Sequence, residues 1–346
     1  MIKVVTIGSV TWDNFLKLDY ALIPWEKTSS GKAIALPLGD KMEVKYFYPT
    51  TGGNSANASI TFARHGFMTA CFGKTGDDIT AREIEQRLRK QKVTPIFSKT
   101  NRMQTAQSVL LMSGGERTIL GYHGASDTLT LADVPFQKLK ADWWYISLAG
   151  ESDTLLKPLF AFARKNNIQT AFNPSGHHIR HRPQEIKSIL KDVTFFVLNA
   201  DEASDLTGIS FNQPKKVFAK LDQWVKGVVA ITDQRHGAMI SDGNYLYKAG
   251  IYKEKAVVDR TGAGDSFGSG FVAGLIAKLR NDKITVLQKS PSGSKKLQEA
   301  VKYAIKFASA SATSVVETVG ATEGILTAAQ FKQPRWQKFP ILVSKL

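Results

Sequence analysis

The sequence predicts an α/β fold: a doubly wound, mostly parallel sheet with helices on both faces, plus a small β-sheet lid. Short apolar segments such as "IKVVTIG", "TFFVLNA" and "VVAITD" alternate along the chain with longer helix-like segments such as "DITAREIEQRLRKQ". Repeated alternation of strand and helix is typical of a parallel sheet that is covered by helices. Two segments interrupt this alternation with strand patterns, which predicts the lid.

The length and composition indicate one large folded domain. The chain has 346 residues, of which 43% are hydrophobic, so it can fill a sizeable core. No apolar segment approaches the roughly 18 residues of a membrane-spanning helix. The first residues lack the layout of a signal peptide, and the lone cysteine, Cys71, cannot form an internal disulfide. We therefore expect a cytoplasmic protein with no membrane partner.

The chain is strongly basic, with 46 Lys and Arg residues against 30 Asp and Glu residues and a net charge of +16. This excess attracts anions, including nucleotides, sugar phosphates and nucleic acids. The basic residues are dispersed and no recognised nucleic-acid-binding motif accompanies them, so we expect small-molecule partners and no specific nucleic acid. We predict one large domain over residues 1–330 and a basic C-terminal tail over 331–346.

The predicted lid strands lie at about residues 14–50 and 104–122. In the first segment, "KAIALPLGDKMEVKYFY" alternates around Gly39 and Asp40 like a hairpin. In the second, "TAQSVLLMSGGERTILG" indicates another hairpin, which turns at Ser113–Gly115. Strands inserted into an α/β domain suggest a lid that closes over a substrate. A lid of this kind can also pair with a second copy, so a homodimer is one partner hypothesis.

The segment "DRTGAGDSFGSGFVAG" combines glycines with a carboxylate at the start of a predicted helix. Backbone N–H groups at a helix start are unpaired and carry the positive end of the helix dipole, so glycines there let an anion approach closely. Asp265 can accept a proton from an attacking hydroxyl while Gly262, Ala263 and Gly264 stabilise the developing charge. Alternatively, Asp265 caps its own helix. Further glycines in this helix would let it pack tightly: Gly268, Gly270 and Gly274.

Polar residues at a second junction between a loop and a helix suit a ligand with several hydroxyl groups. The segment "TGGNSANAS" supplies Gly52, Gly53, Asn54 and Asn57, and amides both donate and accept hydrogen bonds. Asp13 follows the first predicted strand and could bind two adjacent hydroxyls. Each of these residues could instead serve a turn or a cap.

The segment "LNADEASDLTG" follows a later strand and starts another predicted helix. Asn199 and Glu202 are three residues apart and therefore share one face of that helix. A carboxylate in this position can organise Mg²⁺ and its water ligands near phosphate groups.

Taken together, "TGGNSAN", "LNADEASDLTG" and "DRTGAGDSFGSGF" resemble, in this order and at these separations, the ribokinase-like (PfkB) family of sugar and nucleoside kinases. The resemblance extends from "VVTIGSV" to "TVGATEG". It implies an ATP-dependent transfer of the γ-phosphoryl group to a hydroxymethyl group of a sugar, with Mg²⁺ and, in many members, K⁺. A nucleoside kinase of the adenosine, guanosine or cytidine type is an alternative, and a non-catalytic regulator that binds a nucleotide or a sugar is another.

The resemblance also implies roles for individual residues. Asp265 would be the catalytic base, and Gly262, Ala263 and Gly264 would form the anion hole. The implied sugar-binding residues are Asp13, Gly52, Gly53, Asn54, Asn57 and Glu151. The implied nucleotide-binding residues are Asn199, Glu202, Thr232, Gly237 and Ser309, and Glu202 would hold Mg²⁺ through water. Asp259 and Thr261 would hold the monovalent cation. The chain departs from the family pattern at Gln234, where members often have glycine.

Overall fold

The computed structural model describes residues 1–28, 31–113, 116–150, 152–280, 282–284, 288 and 291–346. Its strands are, in chain order, β1 (Lys3–Gly8), β2 (Thr11–Leu18), β3 (Ala21–Pro24), β4 (Lys32–Ala35), β5 (Val44–Gly52), β6 (Met68–Gly76), β7 (Val93–Thr100), β8 (Ala106–Ser113), β9 (Glu116–Tyr122), β10 (Trp143–Ser147), β11 (Gln169–Phe172), β12 (Phe195–Asn199), β13 (Val228–Thr232), β14 (Ala238–Ser241), β15 (Tyr245–Ala249) and β16 (Ile341–Lys345). Its helices are α1 (Asn54–Arg64), α2 (Ile79–Lys90), α3 (Leu156–Lys165), α4 (Gly176–His181), α5 (Pro183–Ile189), α6 (Ala200–Thr207), α7 (Pro214–Trp224), α8 (Ala263–Leu279) and α9 (Pro291–Val316).

The large sheet contains ten strands in the order β16-β15-β14-β13-β12-β11-β10-β1-β6-β7. Seven neighbouring strands of this sheet pair in parallel, which are β13, β12, β11, β10, β1, β6 and β7. The strands β14, β15 and β16 extend the sheet through antiparallel pairs. The predicted doubly wound, mostly parallel sheet is therefore confirmed.

Alternate side chains of the central strands supply two cores, one on each face of the sheet. In β10, Trp143 and Tyr145 belong to a core shared with helices α1, α8 and α9, whereas Trp144 and Ile146 belong to a core shared with α3, α5 and α7. Successive side chains of a strand point to opposite faces, so a strand that is apolar throughout fits a sheet buried on both sides.

Helix α8 lies in the first of these cores, and its glycines let it approach α9 closely. A Cβ atom on Gly274 would lie 2.7 Å from the Cα atom of Ala304, and one on Gly270 would lie 3.2 Å from the Cα atom of Ala308. Phe271 stacks on Phe195 of the sheet with ring centroids 4.5 Å apart. These glycines therefore allow the predicted tight packing of α8 against its neighbours.

Two small sheets lie beside the large one. A four-stranded sheet has the order β5-β2-β8-β9, and β3 pairs with β4 in a separate two-stranded sheet. The pairing predicted for the hairpin at 105–121 is confirmed, because β8 and β9 pair antiparallel. Gly114 and Gly115 of its predicted turn lie outside the described residues. The hairpin predicted around Gly39 and Asp40 is wrong: β4 pairs with β3, and β5 pairs with β2. The four residues of β4 offer few pairs, whereas β5 forms a ladder along the whole length of β2.

The last residues of the chain contribute to the large sheet. Within the segment predicted as a basic tail, β16 pairs antiparallel with β15 at the sheet edge. The domain boundaries given above stay predictions. None of the described helices combines the length and the apolar composition that crossing a bilayer requires.

Candidate active site

The crevice at the carboxyl ends of β1 and β10 is the topological switch point of the sheet. The chain proceeds from β1 to β6 on one side of β1 and places β10 on the other side. Open α/β sheets bind ligands at such a point, because the connections on either side turn away from each other. At this point a Cβ atom on Gly8 would lie 1.9 Å from the carbonyl oxygen of Ser147, so only glycine lets the two strand ends meet this closely.

The start of α1 is attached to both strand ends. The backbone N–H of Asn54 donates to the Ser9 hydroxyl at 3.0 Å, and the Asn54 side-chain amide donates to the Ser147 hydroxyl at 3.0 Å. Sequence reasoning missed Ser9 and Ser147. The switch-point rule would have found them, since each stands at the carboxyl end of a predicted central strand.

Asp13 and its neighbours pack so closely that two adjacent positions require glycine. The Asp13 side chain is buried, with 6% exposed, and a Cβ atom on Gly52 would lie 1.9 Å from its Oδ2 atom. Gly53 has a φ of 90°, and a Cβ atom there would lie 2.6 Å from the carbonyl oxygen of Ser9. Both glycines are therefore required by the geometry of this junction.

Burial raises the pKa of Asp13 to about 6. Hydrogen bonds from the hydroxyls of Thr11 and Ser108 lower this pKa, and the charges of Asp265 and Asp259 raise it. A carboxylate in such surroundings gains from a hydroxyl donor, because hydrogen bonds to the charged form replace the water lost on burial.

A hydrogen bond joins Asn57 of α1 to Asp265 of α8. The Asn57 Nδ2 atom donates to Asp265 Oδ2 at 2.9 Å. The Asn57 side chain is 4% exposed, and within the described chain its buried Oδ1 atom has no hydrogen-bond donor. An unpaired buried acceptor is costly, so a ligand hydroxyl that donated to it would be favourable.

Asp265 lies in the first turn of α8 and remains partly exposed. Burial raises the pKa of its carboxyl group to about 6, and the hydrogen bond from Asn57 acts in the opposite direction. In the described chain the carboxylate accepts no hydrogen bond from its own helix start, which leaves the capping alternative without support. A carboxyl with a pKa near neutrality suits a general base.

The helix start itself leaves room for an anion. Gly262 has a φ of 78°, and a Cβ atom on it would lie 2.6 Å from Ala321. A Cβ atom on Gly264, by contrast, would meet no atom within 4 Å. The first N–H groups of a helix have no partner within the helix, so the open space beside Gly264 adjoins unpaired donors at the positive end of the dipole.

Asp259 and Thr261 lie just before this helix and are connected to each other. Asp259 Oδ1 accepts from the backbone N–H of Thr261 at 2.9 Å and from its hydroxyl at 2.7 Å. Asp259 Oδ2 accepts from the backbone N–H of Gly320 at 3.2 Å. These bonds fix the segment that contains Ala321 against the helix start.

Asn199 and Glu202 lie at the carboxyl end of β12, on the same edge of the sheet. The Asn199 side chain accepts from the Glu202 N–H at 2.8 Å, and the Glu202 carboxylate accepts from the Asn199 N–H at 2.8 Å. This reciprocal pair is a capping box for α6. Asn199 also pairs in register with Thr232 at the end of β13, so the two strand ends are adjacent.

The remaining candidates are more dispersed. Gly237 has a φ of 91°, and a Cβ atom there would lie 2.1 Å from the carbonyl oxygen of Ala249. Gln234, in the preceding turn, has a φ of 44°, a left-handed conformation that glycine adopts more readily. Ser309 is buried in α9, and Glu151 lies outside the described residues.

Comparisons with known proteins identify the family of the chain. The pfkB family carbohydrate kinase model matches residues 13–328. The bifunctional ribokinase/ribose-5-phosphate isomerase A of Fructilactobacillus sanfranciscensis is 25% identical over 87% of this chain, which spans 53% of that protein's length.

Two solved structures share the fold. Arabidopsis thaliana ribokinase complexed with ribose and ATP has a TM-score of 0.71 and 21% identity, covering 94% of this chain and 95% of that one. Adenosine kinase from Sinorhizobium meliloti has a TM-score of 0.73 and 20% identity, covering 95% and 98%. Because the family model matches most of its length, the chain belongs to the PfkB family of carbohydrate kinases, which are phosphotransferases with an alcohol acceptor.

Proposed function

We propose that the chain transfers the γ-phosphoryl group of Mg·ATP to a hydroxymethyl group of a sugar. The observation that carries this proposal is the position of Asp265. Its carboxylate lies in the first turn of α8, beside the open space at Gly264, and accepts a hydrogen bond from the side-chain amide of Asn57. The Asp265 carboxylate thus lies next to the proposed anion hole and next to Asn57, which is suited to binding a ligand hydroxyl.

The acceptor would be oriented by three side chains at the crevice. Asp13 can accept hydrogen bonds from two hydroxyls, and the unpaired Oδ1 atom of Asn57 can accept from a third. Asn54, which is tied to Ser9 and Ser147, fixes the position of the helix that carries Asn57. Positioning of this kind supplies much of the rate enhancement in phosphoryl transfer.

In the chemical step, the carboxylate of Asp265 takes the proton of the hydroxymethyl group. The oxygen of that group forms a bond to the γ-phosphorus, while the bond between this phosphorus and the β–γ bridging oxygen breaks and ADP leaves. The N–H groups at the start of α8 stabilise the charge on the transferred group. Asn199, Thr232, Gly237 and Ser309 would hold the nucleotide.

Glu202 has the properties that a Mg²⁺ site needs. One of its carboxylate oxygens accepts from the Asn199 N–H, and within the described chain the other accepts no hydrogen bond, so it can accept from a water ligand of the ion. When bound, Mg²⁺ neutralises charge on the phosphates. The protein's part is to orient the water through Glu202.

Asp259 supports a site for a monovalent cation such as K⁺. It is a carboxylate with only 2% of its surface exposed, and within the described chain it forms no ion pair. Three hydrogen bonds but no cation stabilise this buried carboxylate in the described chain, so a cation next to Asp259 and Thr261 would be favourable. Such an ion would stabilise the segment that packs against Gly262.

The function is tested by measuring ADP release with Mg·ATP across ribose, fructose, their phosphates, adenosine, guanosine and cytidine, with and without K⁺. Asp265→Asn serves as the active-site variant, and Asp77→Asn, on an exposed turn, is the matched control. Loss of the base should lower turnover by about 10²- to 10⁴-fold. The control should retain the wild-type rate.

Each outcome has a definite meaning. Release with one sugar, lost only in Asp265→Asn, supports the proposal and identifies the acceptor. Release with a nucleoside alone would replace the sugar by the alternative acceptor class. ATP binding without ADP release across the panel would favour a binding-only role, and full turnover in Asp265→Asn would exclude this residue as the base.

The lid also supports the homodimer hypothesis. The four-stranded sheet exposes several large apolar side chains on its two edge strands, which are Val44 and Phe47 of β5 and Ile119 and Leu120 of β9. Exposed apolar groups of this size on one sheet are typical of an interface, and a second copy would cover them. Size-exclusion chromatography with light scattering should give the mass of a dimer, and Phe47→Glu should give a monomer. A monomeric wild-type protein would exclude this pairing.

A further inference from the structure

A cavity of about 490 Å³ lies outside the crevice, between β5, α1, α2 and the segment that follows α9. Its walls carry three cationic side chains, Arg64, Arg87 and Lys90, and two acidic ones, Glu83 and Glu323. The proposed kinase reaction gives this cavity no role. Its chemistry depends on which of these charges are already compensated.

Glu323 and Arg64 are engaged within the protein. Glu323 Oε1 accepts from the hydroxyls of Tyr48 and Thr50, each at 2.9 Å. One nitrogen of the Arg64 guanidinium donates to the carbonyl oxygens of Thr322 at 2.9 Å and Ile325 at 2.7 Å. These bonds hold both side chains in a fixed wall, where the charge of Glu323 stabilises the charged form of Arg64 and the two opposite charges partly offset each other.

Arg87 and Lys90 differ from this pair. They are one turn apart on α2, so their side chains share a face. Arg87 donates a long hydrogen bond of 3.4 Å to the Thr50 hydroxyl, and its guanidinium lies 4.7 Å from the ring centroid of Trp12. Within the described chain neither cation forms an ion pair. Glu83 lies one turn before Arg87 on the same helix, but in the described chain it forms no ion pair with Arg87 or Lys90, so both cations keep their charge toward the cavity. Two such cations favour an anion, and a guanidinium suits phosphate in particular.

Thr51 provides an independent observation in the same cavity. Its side chain lines the wall and is 2% exposed, and its hydroxyl has no hydrogen-bond partner in the described chain. A buried hydroxyl without a partner is costly, so this position gains from a polar ligand group. The cavity therefore offers a phosphate-binding pair of cations and, separately, an unpaired hydroxyl.

We propose that this cavity is a second ligand site, which binds a phosphate monoester that carries hydroxyl groups. Arg87 and Lys90 bind the phosphate group, and Thr51 exchanges a hydrogen bond with a ligand hydroxyl. The site lies next to the crevice along the chain. Thr51 directly precedes Gly52, and Trp12, whose ring contacts the Arg87 guanidinium, directly precedes Asp13.

The test is titration calorimetry with glycerol 3-phosphate and with inorganic phosphate. The double variant Arg87→Gln/Lys90→Gln should weaken binding of both by about tenfold or more, because hydrogen bonds to charged groups are lost. Arg89→Gln is the matched control, since Arg89 is exposed on the same helix but does not line the cavity. Asp13→Asn should retain binding, which separates this site from the crevice and makes the result independent of kinase activity.

A third variant, Thr51→Val, tests the hydroxyl. It should raise the melting temperature of the free protein, because an unpaired buried hydroxyl is removed, and should weaken glycerol 3-phosphate binding while leaving inorganic phosphate binding unchanged. Equal affinity of the wild type for glycerol 3-phosphate and inorganic phosphate would contradict a monoester ligand and would identify free phosphate as the ligand instead. No binding of either ligand, or unchanged affinity in the double variant, would overturn the site itself.

Discussion

The side-chain amide of Asn57 and the carboxylate of Asp265 are joined by a hydrogen bond of 2.9 Å, although they lie 208 residues apart in the chain. Asn57 belongs to α1 and Asp265 to α8, so the bond connects the helix that carries proposed hydroxyl-binding residues with the helix whose start is the proposed anion hole. The amide both orients the proposed base and stabilises its charged form. This dual effect makes Asn57 a sensitive point for testing the mechanism.

Replacing Asn57 should change the pH dependence of the reaction. In Asn57→Ala the hydrogen bond that lowers the pKa of Asp265 is lost, so this pKa rises and the acidic limb of kcat/KM moves to higher pH. The KM for the acceptor should also rise, because the Oδ1 acceptor is lost. The measurement is a pH series of kcat/KM, with Asn212→Ala on an exposed turn as control. An acidic limb that does not move would contradict the proposed contact between base and amide.

The wild-type enzyme should itself lose activity as the pH falls through about 6. Burial raises the pKa values of both Asp13 and Asp265 to about 6, and the mechanism uses both groups in the charged form. Since kcat/KM reports groups of the free enzyme, log kcat/KM should decline below pH 6 with a limiting slope near two, and near one in Asp13→Asn. A rate that stays constant from pH 8 to about 4 would contradict either the raised pKa values or the need for both charges.

The same raised pKa predicts that the proposed base lowers the stability of the fold. The folded protein binds the proton of Asp265 more tightly than the unfolded chain does, because the pKa is about 6 instead of 3.8. The stabilising effect of protonation is therefore present at low pH and is lost as the pH rises through about 6. At pH 8, Asp265→Asn should melt at a higher temperature than the wild type, although its turnover is lost. A lower melting temperature would contradict the desolvation of this carboxylate.

Packing between α8 and α9 should be sensitive to a single methyl group. In Gly274→Ala the added Cβ atom would lie 2.7 Å from the Cα atom of Ala304, so the helices must separate, at a cost of about 1–3 kcal/mol. Urea unfolding measures this cost. Gly121→Ala is the control, because a Cβ atom there meets no atom within 4 Å. Equal stability of the two variants would show that the helices separate without cost.

Much of this architecture could be predicted from the sequence because local patterns determine it. The apolar strands, the glycine-rich start of α8 and the hairpin of β8 and β9 each follow from residues close together in the chain. The pairing of β5 with β2 could not be predicted in this way, since it depends on which strands the fold brings side by side. The edge strand β16 was missed for the same reason.

The candidate site shows a similar division. The residue types of Asp13, Asn57 and Asp265 indicated their chemistry, but the bond between Asn57 and Asp265 depends on how α1 and α8 pack across the core. Asn199 and Glu202 were placed together by their spacing, and the structure adds the capping box. The cavity at Arg87 and Thr51 has no signature in the sequence, because its walls come from separate elements.

The two glycines that flank Ala263 should respond to substitution in opposite ways. Gly264→Ala adds a methyl group to open space in a helix, so the fold should keep its stability or gain up to about 1 kcal/mol. The methyl group would occupy the region proposed for the transferred phosphoryl group, and turnover should fall by about 10²-fold or more.

Gly262→Ala should instead damage the fold, because a φ of 78° strains any residue with a side chain and Ala321 leaves no room. The strain alone should cost about 1–3 kcal/mol. Urea unfolding and ADP release on both variants separate the two effects. A fully active Gly264→Ala protein would mean that no phosphate approaches this helix start, which would remove the physical reason for a glycine at that position.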